Sequence, residues 1–316
     1  MRIFALEGQK NATLPRALDR FERQFSYPLG DAQRFQVLHG ADYAKFFRAM
    51  GRAQCFIAEK EGEVVGSLAI VVRQIGLPDG TDQNVGYLGD IRIVPHARGG
   101  RTLFRLAGAA ANWIERAVNA YFGVVMDGTM ATPDRYTGRA NVPAFKSLAK
   151  VTIVRFPTAE IRGDTCSAVT EVEAEIANRC FRELSTDRYS TPCANPAERS
   201  LSAPVWLMHE GATACGCLED TRRAKRLILV NGTEMISAHL SSFAYRDFRS
   251  GATLARDALR RARQQGFPAL FLAIAAGDAR RLLAELGDIC PTLAPATIFG
   301  HGLLPNVDWN LNTAEI

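Results

Sequence analysis

The 316-residue sequence lacks most of the features that assign a chain to a class at first sight. Its 38 basic and 33 acidic residues leave a net charge of only +5, scattered along the chain. That is weak support for a polyanionic partner, and a nucleic acid is not expected. No apolar run approaches the ~18 residues a membrane-spanning helix needs, and Met1–Gln9 holds no secretory-type apolar stretch. The seven cysteines, an odd number at irregular spacings, make a disulfide framework unexpected and a reducing cytoplasm the expected setting. Cys215 and Cys217, one residue apart, have the wrong spacing for zinc and no second ligand pair, so they read as strand cysteines and no metal is expected. His39, His96, His209, His239 and His301 show no ligand spacing, and His96 reads as a solvent-facing loop residue. There is no Gly-x-Ser-x-Gly elbow and no cysteine in a nucleophile context. Trp113, Trp206 and Trp309 read as packing residues, without an RNA-binding aromatic signature.

What the sequence does contain is an ordinary globular balance, 47% hydrophobic and 22% charged, and an internal repeat. Arg98–Ala107 and Arg249–Ala258 share six identities in ten positions at a constant separation of 151. Glu61-Gly62 followed by Gly66 and Leu68 is matched by Glu210-Gly211 followed by Gly216 and Leu218, at separations of 149 and 150. Two segments sharing nearly one offset, close to half the chain length, indicate duplication, with a boundary near residues 157–165 that divides the chain into 1–158 and 159–316.

The periodicities predict an α/β unit in each half. In the first, Cys55–Ala58 and Val64–Arg73 read as strands around a turn at Lys60–Glu63, and Val85–Val94 as a strand stopped by Pro95. Apolar residues at helical spacing predict a helix over Thr102–Val118. A strand at Tyr121–Met126, a loop at Asp127–Arg139, a short helix at Val142–Lys150 and a strand at Val151–Phe156 follow. In the second half, strands are expected at Val205–Met208, Ala214–Leu218, Arg226–Val230, Ile236–Tyr245 and Ala269–Ala275, and helices at Thr253–Gln265 and Asp278–Leu286.

The stretch Gly89–Leu103 carries the chemistry: a strand, Pro95, a basic glycine-bearing loop, then a helix. The first N–H groups of a helix lack intrahelical partners and carry the positive end of its dipole, so such a junction attracts anions. Gly99 and Gly100 let backbone approach a phosphate, Arg98 and Arg101 supply charge, and Thr102 is placed to cap the helix or donate to the anion. The bland alternative is a glycine-rich turn with solvated arginines.

Ile91 through Gly99, with Val94-Pro95 and then Arg98-Gly99, resembles the fourth strand and following loop of the GNAT superfamily of N-acetyltransferases, and Asn141 through Ala144 resembles that family's later Asn-x-x-Ala segment. The resemblance covers about residues 50–156 and, more faintly, 200–300. It implies an α/β architecture (α+β mixed sheet), built as tandem GNAT-like acyltransferase folds with a degenerate second copy. It also implies acetyl-CoA as cosubstrate and a primary amine of a small molecule or protein as acceptor. Carried over, Ile91, Ile93 and Val94 offer backbone groups to pantetheine; Arg98, Gly99, Gly100, Arg101, Thr102 and Leu103 cradle the pyrophosphate; Asn141 contacts the cofactor. The sequence departs from the pattern at Arg101 and Leu103, where the family has glycine or alanine, and at Leu148, where it often has an acid tyrosine. Asp90 and Asp127 are then the candidate bases and Tyr136 the candidate acid. Two alternatives remain: a non-catalytic acyl-CoA-binding module, and a transferase using another acyl or an aminoacyl-tRNA donor.

Overall fold

The computed structural model describes all residues except 8–12, 31–32, 115–116, 130, 141, 162–167 and 288. The first half begins with β1 (Arg2–Ala5), α1 (Leu14–Glu22), β2 (Tyr27–Leu29), β3 (Gln33–Leu38) and α2 (Lys45–Arg48). It continues as β4 (Arg52–Lys60), β5 (Glu63–Gly76), β6 (Asp82–Ile93), α3 (Thr102–Ile114), β7 (Tyr121–Met126), α4 (Pro133–Tyr136) and β8 (Lys146–Pro157). The second half opens with β9 (Val169–Glu171), α5 (Ala174–Leu184), β10 (Tyr189–Ser190) and α6 (Pro196–Arg199). Then come β11 (Val205–His209), β12 (Ala214–Glu219), β13 (Arg226–Leu229), β14 (Ala238–Tyr245) and α7 (Phe248–Gln264). It closes with β15 (Ala269–Ala275), α8 (Ala276–Leu286), β16 (Thr292–His301) and β17 (Trp309–Asn310).

One long mixed sheet runs β1-β4-β5-β6-β7-β16-β8-β15-β14-β12-β11-β9. Val64–Val72 is an unbroken apolar and small-residue run because β5 lies between two strands and is covered on both faces. β6 and β7 pair in parallel only at Gly86–Tyr121 and Tyr87–Phe122, then part. β14 and β15 do the same, at Ala238–Leu270 and His239–Phe271. The first half's last strand, β8, lies between β16 and β15, while the second half's β16 lies between β7 and β8. The exchange also joins the cores. Val151 and Ile153 of β8 belong to the first apolar cluster, and Val154 and Phe156 of the same strand to the second.

Three expectations need correction. Val142–Lys150 is not a helix: β8 begins at Lys146, and Leu148 is buried in the core. Alternation along 146–157 is broken because the buried face changes within the strand, from Val151 and Ile153 to Val154 and Phe156. β13 forms as expected but leaves the main sheet, pairing with β3 in a small sheet ordered β13-β3-β2. The second half's main helix starts at Phe248, five residues early, because the Asp247 carboxylate accepts from the Ser250 N–H and caps it there. Among the described residues no helix is long and apolar enough to cross a membrane, and Cys55, Cys180, Cys193, Cys215, Cys217 and Cys290 are free thiols.

Candidate active site

Where β6 and β7 part, a gap opens in the sheet and becomes a cavity of about 240 Å³, measured as the space open to the centre of a water molecule. Leu103 and Ala107 on α3 line one end, Leu88–Arg92 and Gly123–Met126 its middle, and Leu227 and Phe271 the far end. The small sheet supplies a cover, with Tyr27, Leu29, Phe35 and Val37 in the lining. At the middle, β6 carries a bulge. Ser67 pairs with Arg92 but Ala69 with Gly89, which leaves Asp90 and Ile91 opposite Leu68 alone. Asp90 has a φ of +53°, a conformation uncommon for a residue with a side chain, and the Ser67 hydroxyl donates to its carbonyl at 2.8 Å. The bulge turns the Asp90 side chain away from strand alternation and into a buried ionic cluster.

That cluster gathers residues from three separate segments. His39 stands at the end of β3, Glu22 at the end of α1, and Asp90 and Arg92 on β6. The His39 imidazole Nδ1 lies 2.6 Å from one Glu22 oxygen, and the His39 backbone N–H donates to the other at 3.1 Å. Arg92 bridges both acids, reaching Asp90 at 2.5 Å and Glu22 at 3.4 Å, and donates to the Tyr27 hydroxyl at 3.0 Å. The Tyr43 hydroxyl donates to Asp90. Burial works against the Arg92 charge, but Asp90, Tyr27, Tyr43 and Glu22 outweigh it and its pKa is raised. Burial, then the Asp90 charge, pushes the Tyr43 phenol well up, so it remains a donor. Glu22, His39 and Asp90 bring their ligating atoms within 4.8 Å of one another, yet the Arg92 guanidinium already supplies the counter-charge a cation would bring.

Across the cavity sits a second group of buried polar residues. Lys225 lies over the Phe46 ring and donates to the backbone oxygens of Thr313 and Ile316, at 3.2 and 2.7 Å. Burial, helped by Arg199, pushes its amine down to about 7. Beside it His239 contacts the Thr313 hydroxyl at 3.0 Å and is held well below the usual histidine range by burial and by Lys225. Behind both, Glu315 accepts from Arg73 at 2.8 Å and from Arg199 at 2.9 Å, and Arg199 also donates to Glu219.

The basic loop lies at the other end. Pro95–Ala97 forms a single 3-10 turn, Gly99 turns the chain with φ +73°, and α3 starts at Thr102. Arg98, Gly99, Gly100 and Arg101 are exposed, and a Cβ on Gly99 would meet nothing within 4 Å. The Thr102 hydroxyl is turned back to the Ala97 carbonyl. The Ile93 carbonyl accepts from Arg98 Nε at 3.0 Å, and the Val94 N–H donates to Val65, so neither backbone group is free. Leu103 does not crowd the loop but lines the cavity, together with Ile91.

Of the candidate acid–base residues, the structure brings Asp90 and Tyr136 to the cavity and leaves Asp127 out of its lining. Asp127 accepts from the Thr297 hydroxyl at 2.7 Å and binds β16 to the end of β7. Burial pushes the Tyr136 phenol up to about 12. His96 is exposed in the loop, near Glu63. Asn141 lies outside the described residues. Sequence reasoning missed Glu22, Arg92, Lys225 and the roles of His39 and His239. The available signal was Asp90 and Arg92 together inside the mostly apolar run Val85–Val94, since charges there need buried partners.

No family model matches the sequence, and no curated protein does. The fold, however, is known from solved structures. A crystal structure of Saccharomyces cerevisiae N-myristoyltransferase with bound myristoyl-CoA aligns with a TM-score of 0.65 and 8% identity, covering 96% of this chain and 84% of that one. A second structure of the same yeast enzyme, with myristoyl-CoA and inhibitors, gives 0.63 and 9% over 99% of this chain and 84% of that one. A GCN5-related N-acetyltransferase from Anabaena variabilis aligns at 0.53 and 13%, covering 95% of this chain and 72% of that one. At such identities the likeness is one of fold: this chain carries the mixed α/β fold of the GNAT superfamily.

Proposed function

We propose that the protein is an N-acyltransferase that moves an acyl group from an acyl-CoA to a primary amine of a small molecule or protein. The observation that carries this reading is the continuity of the cavity. It runs from the foot of α3, beside the open Gly99–Gly100 loop, past the β6 bulge, to a buried set of acid–base groups. In this reading the chain is two copies of one unit, 1–158 and 159–316, that exchange their last strands, and only the first copy holds the donor. The exposed Arg98 and Arg101, with the start of α3, would take the CoA diphosphate. The acyl thioester would lie between β6 and β7, at the bulge. Tyr136, whose phenol keeps its proton at neutral pH, is placed to protonate the departing thiolate.

The lining favours an acyl group longer than acetyl as a second reading. Beyond the bulge the walls are Val124, Met126, Ile153 and Phe271, which offer an apolar sleeve rather than a shallow pocket.

Calorimetric titration with CoA, of wild type beside Arg98→Ala, tests the donor site. Wild type should bind, and the variant should lose roughly tenfold or more, as expected for a charge-assisted contact worth about 1.5–3 kcal/mol. Release of free CoA thiol from acetyl-, octanoyl- and myristoyl-CoA, with and without amines, tests turnover and chain length. Binding without turnover would leave a non-catalytic acyl-CoA-binding module; absence of binding by folded protein would sink the reading.

A further inference from the structure

His39 is one of the described residues whose buried side chain carries an atom without a hydrogen-bond partner, at Nε2. The residue is only 4% exposed, lines the cavity, and sits among the rings of Tyr43, Phe46 and Phe47. Its other nitrogen lies 2.6 Å from Glu22, and its main-chain N–H donates to the same carboxylate, so ring position and tautomer are both fixed. With Glu22 ionised, Nδ1 carries the hydrogen and Nε2 the lone pair. Nδ1 is also 3.7 Å from the Asp90 carboxylate, which puts the ring against the bulge where β6 leaves β7.

From this geometry we infer that His39, oriented by Glu22, is the base that removes the proton from the acceptor amine. The inference rests on the transferase reading above and adds to it the residue that activates the acceptor. An alkyl amine enters as an ammonium ion and cannot attack a thioester until it loses a proton. The groups facing His39 are Glu22 from α1, Asp90 and Arg92 from β6, Tyr43 from the segment before α2 and, beyond Phe46, Lys225. Two carboxylates against one guanidinium leave one uncompensated negative charge. That charge attracts the ammonium and then stabilises the proton on His39. The protons and bonds balance. The ammonium gives one proton to Nε2, and the amine nitrogen bonds to the acyl carbon as the C–S bond breaks. The second N–H proton passes to the departing thiolate by way of the Tyr136 phenol, and the imidazolium proton leaves to solvent. Asp90, held by Arg92 and Tyr43, is a positioning residue in this scheme and not the base.

The test pairs two acceptors that differ in their need for a base. Phenethylamine is protonated at neutral pH; hydroxylamine is largely neutral and needs little help. His39→Asn keeps a side-chain N–H for Glu22 and removes the lone pair. With acetyl- or myristoyl-CoA as donor, the variant should lose about 100-fold or more in kcat/KM toward phenethylamine and only a few-fold toward hydroxylamine. CoA affinity should be unchanged, which certifies the fold; Glu22→Gln should give the same selective pattern more weakly. Equal losses toward both amines would make His39 structural, and undiminished activity would dismiss it; either overturns the proposal while the transferase reading stands. A wild type that binds CoA and acylates neither amine overturns both.

Discussion

The two halves contain the same backbone device and use it differently. Each has a hairpin, a bulged strand that parts from its parallel neighbour, and a helix after the part. The bulge residue is Asp90 in one, at φ +53°, and Ser242 in the other, at φ +46°. In the second half everything the bulge exposes is already occupied: Asn312 accepts from the Ser242 N–H at 2.7 Å, and Ser242 Oγ accepts from the Cys193 N–H. The helix starts differ too. The segment that is an open loop at 98–101 is wound into α7 at 249–252, because Ser250 replaces Gly99 and Asp247 caps the helix. A Cβ on Gly100 would meet only the Ala97 carbonyl, at 3.9 Å, whereas a Cβ on its counterpart Gly251 would lie 2.7 Å from the Tyr245 ring. A carboxylate and a phenol ring therefore fill, in the second half, the position that is open to an anion in the first. One glycine and one acid are enough to separate an open loop from a capped and covered helix start.

The comparison can be broken hardest where the halves are joined. Glu315→Gln removes one charge from a buried network that ties Arg73 of the first half to Arg199 of the second. The expected cost is about 3–5 kcal/mol, measured by denaturant unfolding, because an arginine is left without its counter-charge. Burial raises the Glu315 pKa, but Arg73 and Arg199 outweigh it and hold the group below its ordinary range. Its stabilisation is therefore present at neutral pH and lost as pH falls through that lowered value, and the variant should lack this acid-sensitive part.

The comparison is sharpened by giving the first half the second half's solution. Gly100→Asp places a carboxylate at the open start of α3; CoA affinity should fall by about 100-fold, since attraction becomes repulsion, with little change in melting temperature. The smallest effect belongs to Asp247→Ala. Loss of the cap should cost about 1 kcal/mol, and calorimetry should find no new CoA site, because Tyr245 still covers Gly251.

Periodicity, turn residues and helix starts are local properties, and they made much of the fold legible: the strands around Glu61-Gly62, the extent of β15 and the start of α3. The loop chemistry at 98–102 was equally local. The placement of β8 and β16 was not, since nothing in either strand says which neighbours in the one long sheet will receive it. Nor could spacing show that Glu22, His39 and Asp90 would meet. They lie far apart in the chain, and each alone reads as an ordinary polar residue. Strands, turns and helix starts could be read along the chain, because those features depend on neighbours a few residues away. Which distant residues meet beside the cavity depended on the tertiary fold: burial brings distant charges together, and once water is excluded they must satisfy one another.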